Sequence, residues 1–213
     1  MLQFSTFDMN VNAHKTKKEL ISTFLKMTDD DSVSKIKVDD LLKAAGVSKG
    51  SLYHHFVDFD DLAAEANAHA FSSEVDNIID LFDGVLGKSE TVEEFETRFR
   101  AAILDMLTPD GLERRLTAAK IIGASSKSTK LRNHISLEQQ RLTLKIEQAF
   151  IGAQHKGVAD KSFAPHFAAV LIQAYLFGKI IDDLSQAPVN PNDWADWMVN
   201  MVSGRKTTVI AGR

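Results

Sequence analysis

The stretch that decides the fold runs from Val38 to Leu62, VDDLLKAAGVSKGSLYHHFVDFDDL. Val38, Leu41, Leu42 and Ala45 recur at helical spacing and give a first short helix one apolar side. Gly46 stands where a helix end wants a residue able to take positive φ. Val47 follows as a small apolar plug, and Ser48 is a good N-cap for a second helix. That second helix carries Leu52 and Phe56 inward at an i,i+4 interval. Its other positions show Ser48, Lys49, Ser51, Tyr53 and His54, all hydrogen-bond donors or aromatics. Two short helices around a tight turn, the second with a polar outer face, have the chemistry of a helix-turn-helix. In such a motif the second helix lies in the DNA major groove.

The order of residues is more specific than the pattern. Ala45-Gly46-Val47-Ser48, Gly50-Ser51-Leu52-Tyr53 and His55-Phe56, with Leu62 six positions further on, resemble the DNA-binding domain of TetR-type transcriptional regulators. The likeness covers roughly residues 14–64. It implies that Tyr53 holds a phosphate, that Lys49, Ser51 and His54 face the groove, and that Gly50 lets the helix approach the duplex closely. Lys37, beside the first helix, and Ser48 complete the expected DNA-binding set. Lysine suits guanine O6/N7 and serine suits several acceptors, so no base sequence follows. His54 and His55 are successive helical residues that do not share a face, which argues against a shared metal site.

Two features depart from the family pattern. The loop Thr28–Lys35 is longer and more acidic than the family's usual glycine-containing turn. Phe59 stands where the family usually places a lysine that meets phosphate, and Asp58, Asp60 and Asp61 surround it. These acids are good helix caps but repel a phosphate. Charge deepens the difficulty. Residues 1–62 hold eight Lys/Arg against ten Asp/Glu, a net −2, and the remaining 17 against 19 give −2 again. Phosphate neutralisation carries much of non-specific DNA affinity, so local placement of Lys35, Lys37, Lys43 and Lys49 has to supply what the domain average lacks.

Composition sets the outer bounds. A chain of 213 residues that is 44% hydrophobic and 25% charged has the make-up of a globular protein with a real core. No apolar run is long enough to span a bilayer and no signal peptide is evident, so no membrane partner and a cytoplasmic location are expected. With no cysteine, disulfides, thiolate metal sites and thiol nucleophiles are excluded. No HExxH, glycine-rich phosphate loop or GxSxG is present, and His134, His155 and His166 are scattered. The expectation is a non-enzyme without metal or cofactor.

Outward from the motif, the chain reads as all-α with about nine helices. The expected domains are 1–62, a three-helix DNA-binding domain with residues 1–13 as a loose arm, and 63–204, a larger ligand-binding and dimerisation domain. Residues 205–213 read as a disordered tail. Lys15 to Met27 is the first helix, with Lys15, Lys17 and Lys18 at its start, against the dipole. In the resembled family that helix end lies near the DNA backbone. Asp60 to Leu86 is a long helix closed by Gly84 and Gly87, and Thr91 to Leu107 is capped by Ser89 or Thr91. Pro109-Asp110-Gly111 reads as a break before a short helix from Leu112. Lys130–Lys156, Phe163–Leu184 and Asn192–Val202 follow.

The last two helices are expected to form half of an intersubunit four-helix bundle. Phe167, Leu171, Ala174, Gly178 and Ile181 supply one side, with Trp194, Trp197, Met198 and Met201 the other. The resemblance also implies a cavity for an unidentified small effector among the fifth to eighth helices. Periodicity offers Phe99, Ile103, Met106, Leu137 and Phe177 as walls, with Arg98, His134, Gln173, Tyr175 and Lys179 as polar anchors. The sequence thus points to a homodimeric regulator of double-stranded DNA, a ligand-responsive repressor at a palindromic operator. The competing reading is a helical interaction or small-molecule-binding protein that keeps the fold with weakened DNA reading.

Overall fold

The computed structural model describes residues 6–30 and 36–204. Lys35, most of the acidic loop before it and the tail 205–213 lie outside the described residues. The described residues form nine α-helices and no strand: α1 Thr6–Asp30, α2 Val38–Ala45, α3 Lys49–His55, α4 Phe59–Phe82, α5 Val92–Met106, α6 Pro109–Ala124, α7 Thr129–Lys156, α8 Pro165–Asp183 and α9 Pro191–Val202. Among them no helix is long and apolar enough to cross a membrane. The chain divides into two compact units, 1–71 with 124–134, and 72–123 with 135–213.

In the first unit, α1, α2 and α3 turn Leu20, Phe24, Leu41, Leu52 and Phe56 into one core, which the start of α4 closes with Leu62 and Ala66. Helix α1 begins at Thr6, well before the expected start at Lys15, so the stretch read as a loose arm is helical from Thr6. Lys15, Lys17 and Lys18 therefore sit inside the helix, beyond the first turn where the dipole would oppose them.

In the second unit α5 lies against α9, and Arg100 joins them by donating to Asp196 at 2.7 Å and Asn192 at 2.9 Å. Phe95, Phe99, Ile146, Phe150, Ile172 and Met198 are among its fully buried side chains. Helix α4 ends in a π-helical turn, Asp83–Gly87, and Thr91 rather than Ser89 caps α5 by accepting from the Glu94 N–H at 3.1 Å. Ser89 instead bonds back to the Val85 carbonyl. The expected break lies between Met106 and Pro109, and the proline itself opens α6, ahead of the expected start at Leu112, because a first-turn proline gives up no helical hydrogen bond. The Thr108 hydroxyl caps that turn by accepting from Gly111 N–H. Gly111 is required there, since a Cβ would lie 2.1 Å from the Met106 carbonyl oxygen.

Candidate nucleic-acid interface

The turn between α2 and α3 is built by its own residues. Gly46 takes φ 64°, and Val47 N–H returns to the Leu42 carbonyl at 3.0 Å, so the end of α2 is closed by a left-handed cap. Ser48 is extended and its Oγ accepts from Ser51 N–H at 3.1 Å, which starts α3. The Ser48 and Ser51 hydroxyls also share a hydrogen bond of 2.9 Å, so these two candidates are engaged with each other. Leu52 is fully buried, which fixes the rotation of α3 about its axis. Helical periodicity then turns Gly50, Tyr53 and His54 outward, and all three are exposed, Tyr53 by 49%. Lys49 is exposed at the first turn of α3, and Lys37 at the N-cap of α2.

The charges around this face are partitioned. Lys17 forms an ion pair with Glu65, and its ammonium lies 5.6 Å from the centre of the Phe56 ring, so it is committed to the core edge. Lys15 and Lys18 remain exposed on α1. Phe59 packs edge-on against Phe24 at 5.7 Å. Core packing, not DNA, thus accounts for the aromatic at the position where the resembled family carries lysine. Asp58 accepts from Asp61 N–H at 2.7 Å while Asp61 accepts from Val57 N–H at 3.1 Å, a reciprocal cap at the start of α4. The Lys130 hydrogen bond to Asp61, at 2.7 Å, and then the Val57 N–H hold that carboxyl below the usual aspartate value. Burial, aided by repulsion from His54, Lys17 and His14, lowers the pKa of His55.

The candidate effector residues do not gather into one place. Phe99 and Ile103 are completely buried and Met106 nearly so, with Phe95 and Phe99 stacked at 5.6 Å, so α5 presents these three to the core. His134 belongs to the first unit, the other nine to the second. Gln173 donates to Thr143 at 3.1 Å and to the Ala169 carbonyl at 2.9 Å, and pairs with Gln139. Tyr175 stacks on Trp194 at 4.5 Å with its hydroxyl buried and unpartnered, and burial drives its pKa upward. Phe177, 48% exposed, and Leu137 stand on outward faces, where neither can line an interior with Phe99. Lys179 is buried and bonded to Asp182 at 2.8 Å and to Asp183, which also binds Arg115.

Among the candidate interface residues, Phe167, Ala174, Gly178 and Ile181 share the solvent face of α8, Ile181 with 79% of its surface exposed. Leu171 is half-buried beside them. On α9 the expectation needs correcting, since Met198 is fully buried within its own chain and Trp194 and Met201 are half-buried. Trp197 keeps 37% exposure. A helix with two apolar sides offers no sequence signal for which side its own chain covers. No group of three or more potential metal-ligating His, Cys, Asp or Glu side chains occurs among the described residues.

Comparison with known proteins bears on this geometry directly. Residues 30–66 match the family described as bacterial regulatory proteins, tetR family. Among curated proteins none matches the chain. A candidate TetR-family transcriptional regulator from Mesorhizobium loti shares its structure with a TM-score of 0.68 at 16% identity, over 89% of this chain and 95% of that one. Escherichia coli NemR in its reduced form gives 0.64 at 16%, over 88% and 96%. A candidate transcriptional regulator from Saccharomonospora viridis, in complex with choline, gives 0.63 at 17%, over 88% and 95%. The chain shares the fold of these solved regulators, and the match at residues 30–66 covers its helix-turn-helix.

Proposed function

We propose that this protein is a sequence-specific regulator, acting in the cytoplasm as a homodimer, that represses by binding a palindromic operator and is released by a small molecule. The observation that carries the reading is the outer face of α3. Leu52 and the Ser48 cap fix its orientation, and Lys49, Gly50, Tyr53 and His54 are left exposed without any role in the core. Lys37 and the Ser48–Ser51 pair stand beside them. Tyr53 and Lys49 are assigned to phosphate and base edges, and His54 to the groove.

Ligand control follows from linkage. A small molecule bound in the second unit acts only by its difference in affinity between two states of the protein. Recognition helices on two copies must sit about 34–36 Å apart to meet successive major grooves, so a shift of a few ångströms is enough to matter. The choline complex of the Saccharomonospora protein supports a ligand-carrying role for this fold. Tyr175 is the anchor assigned here, because its buried hydroxyl has no partner in the chain.

The test is selection from random duplexes at several salt concentrations. A palindromic site is expected, with a negative log–log salt slope that becomes shallower in Lys49→Ala and Tyr53→Phe. If neither the native nor a denatured, extracted and refolded protein enriches any site at low salt, the DNA reading is lost. The function then passes to an interaction protein that uses the same fold, a reading favoured by the net −2 of residues 1–62 and by the commitment of Lys17 to Glu65.

A further inference from the structure

Three of the chain's seven histidines meet at one end of the reading face. His54 and His55 occupy the last turn of α3, and their rings sit edge-on with centroids 5.0 Å apart. Successive helical residues leave the axis about 100° apart, yet this edge contact brings both imidazoles to one margin of the helix. His54 is exposed beside Tyr53, and His55 is half-buried behind it. His14, exposed on α1, is near enough to His55 to repel its charged form.

The surroundings of His55 resist a proton in the free protein. Burial acts first, followed by repulsion from His54 on its own helix and from Lys17 and His14 on α1. Lys15 and Lys18 flank His14 along α1 and add charge of the same sign. From α4, Glu65 is bound by Lys17 and Lys130, and Asp61 by Lys130 and the Val57 N–H, so both carboxylates are already engaged. The Phe56 ring, 6.4 Å from that of His55, offers it no charge.

A duplex reverses this balance. It carries one negative charge per about 1.7 Å of axis, so a duplex in front of His54 sets several phosphates within a Debye length, about 8 Å, of the three rings. Opposite charge at short range favours the protonated imidazole, and an unperturbed imidazole changes charge near pH 6.5, within reach of such a push. The last turn of a helix favours a cation as well.

We propose that His14, His54 and His55 form a phosphate contact that gains its charge on the DNA, so that operator binding takes up protons. The inference rests on the operator-binding reading and goes beyond it by adding His14 and His55 to the contact and by making affinity depend on pH. The contact supplies part of the positive charge that a head of net −2 lacks. Its sign follows from linkage. The complex holds more protons than the free partners, so affinity rises as pH falls through about 7 and levels off once the free imidazoles are protonated too.

The experiment measures binding of the full chain to its selected palindromic duplex by fluorescence anisotropy at pH 6 and pH 8, at constant salt. Affinity is expected to be about tenfold or more higher at pH 6, the equivalent of one pKa unit gained on binding. In the double variant His14→Gln, His55→Gln the ratio should shrink to about threefold or less. Binding by the parent that is equal at both pH values would overturn the inference and leave the operator reading standing, as would a double variant that folds and keeps the full ratio. A parent that binds no duplex at either pH would overturn both. Because His55 is half-buried, its substitution can disturb folding, and a second measurement needs no variant. Calorimetric titration of the native protein with the duplex at pH 7, in phosphate and in Tris, reads the protons exchanged from the difference in heat. Uptake of about 0.5 proton or more per dimer is expected, and zero uptake or release would refute the proposal.

Discussion

Lys179 shows how one residue can organise the end of a helix. Its side chain is only 3% exposed and lies between Asp182 and Asp183, while Arg115 of α6 holds Asp183 from the other side. Burial opposes the charge of Lys179, but hydrogen bonds and attraction from the two aspartates outweigh it and raise its pKa. Burial likewise opposes the charge of both aspartates. Lys179, with the Val189 N–H for Asp182 and Arg115 for Asp183, more than compensates and keeps them below the usual carboxylate value. Removing the cation therefore leaves Asp182 without an ion-pair partner and Asp183 with Arg115 alone. Lys179→Met is expected to cost about 3 kcal/mol at pH 7, read from urea unfolding. A carboxylate whose folded pKa is depressed contributes stability above its unfolded pKa, and that contribution disappears as pH falls through the folded one. The gap between parent and variant should narrow as pH falls below about 4. A gap that stays constant down to strongly acid pH would show that the aspartates do not depend on Lys179.

At the scale of elements, α2 and α3 were legible because each boundary carries its own residue. Gly46 closes one helix, Ser48 opens the next, and Leu52 fixes the rotation of α3. At Pro109 the break between α5 and α6 is real, but the proline is the first residue of α6 and not part of the gap, so the expected start at Leu112 lay three residues late. Phe59 is the corresponding case at the site. Its place in the chain marks a missing phosphate contact, and only the neighbouring Phe24 shows that it serves the core. Gly50 allows the DNA-facing assignment of α3 to be tested without altering charge. A Cβ at Gly50 meets only Ser48 Oγ, at an ordinary 3.8 Å, so the free protein tolerates it. Gly50→Ala should raise thermal stability slightly, by about 0.5 kcal/mol, through reduced unfolded-state freedom. It should lower operator affinity tenfold or more, because the added methyl meets the duplex. Unchanged affinity would mean that DNA does not approach α3 at Gly50.

For the whole molecule, the proposed operator binding calls for two-fold assembly, because the charge of a single head predicts weak attraction to DNA. The chain carries a net charge of −4, and residues 1–62 contribute −2 of it. Lys17, which could have added to the DNA-facing charge, is spent on Glu65, and Lys130 is spent on Asp61 and Glu65. One head alone therefore releases few counterions on binding, and its affinity for a half-site is expected to be low. Joining two heads makes the second binding event intramolecular, with an effective concentration set by how well their spacing matches successive major grooves. Ile181→Glu, which puts an unpaired charge on the expected dimer face, separates these contributions, because Ile181 lies on α8 and far along the chain from the reading helix. It should bind an isolated half-site as the parent does. On the full palindrome it should lose about 100-fold or more in affinity, and its salt slope should fall to about half, since only one head then neutralises phosphates. Fluorescence anisotropy on the two duplexes across a salt series reads all three quantities. A monomeric variant that still binds the palindrome with the parent's slope would show that one head carries the recognition alone.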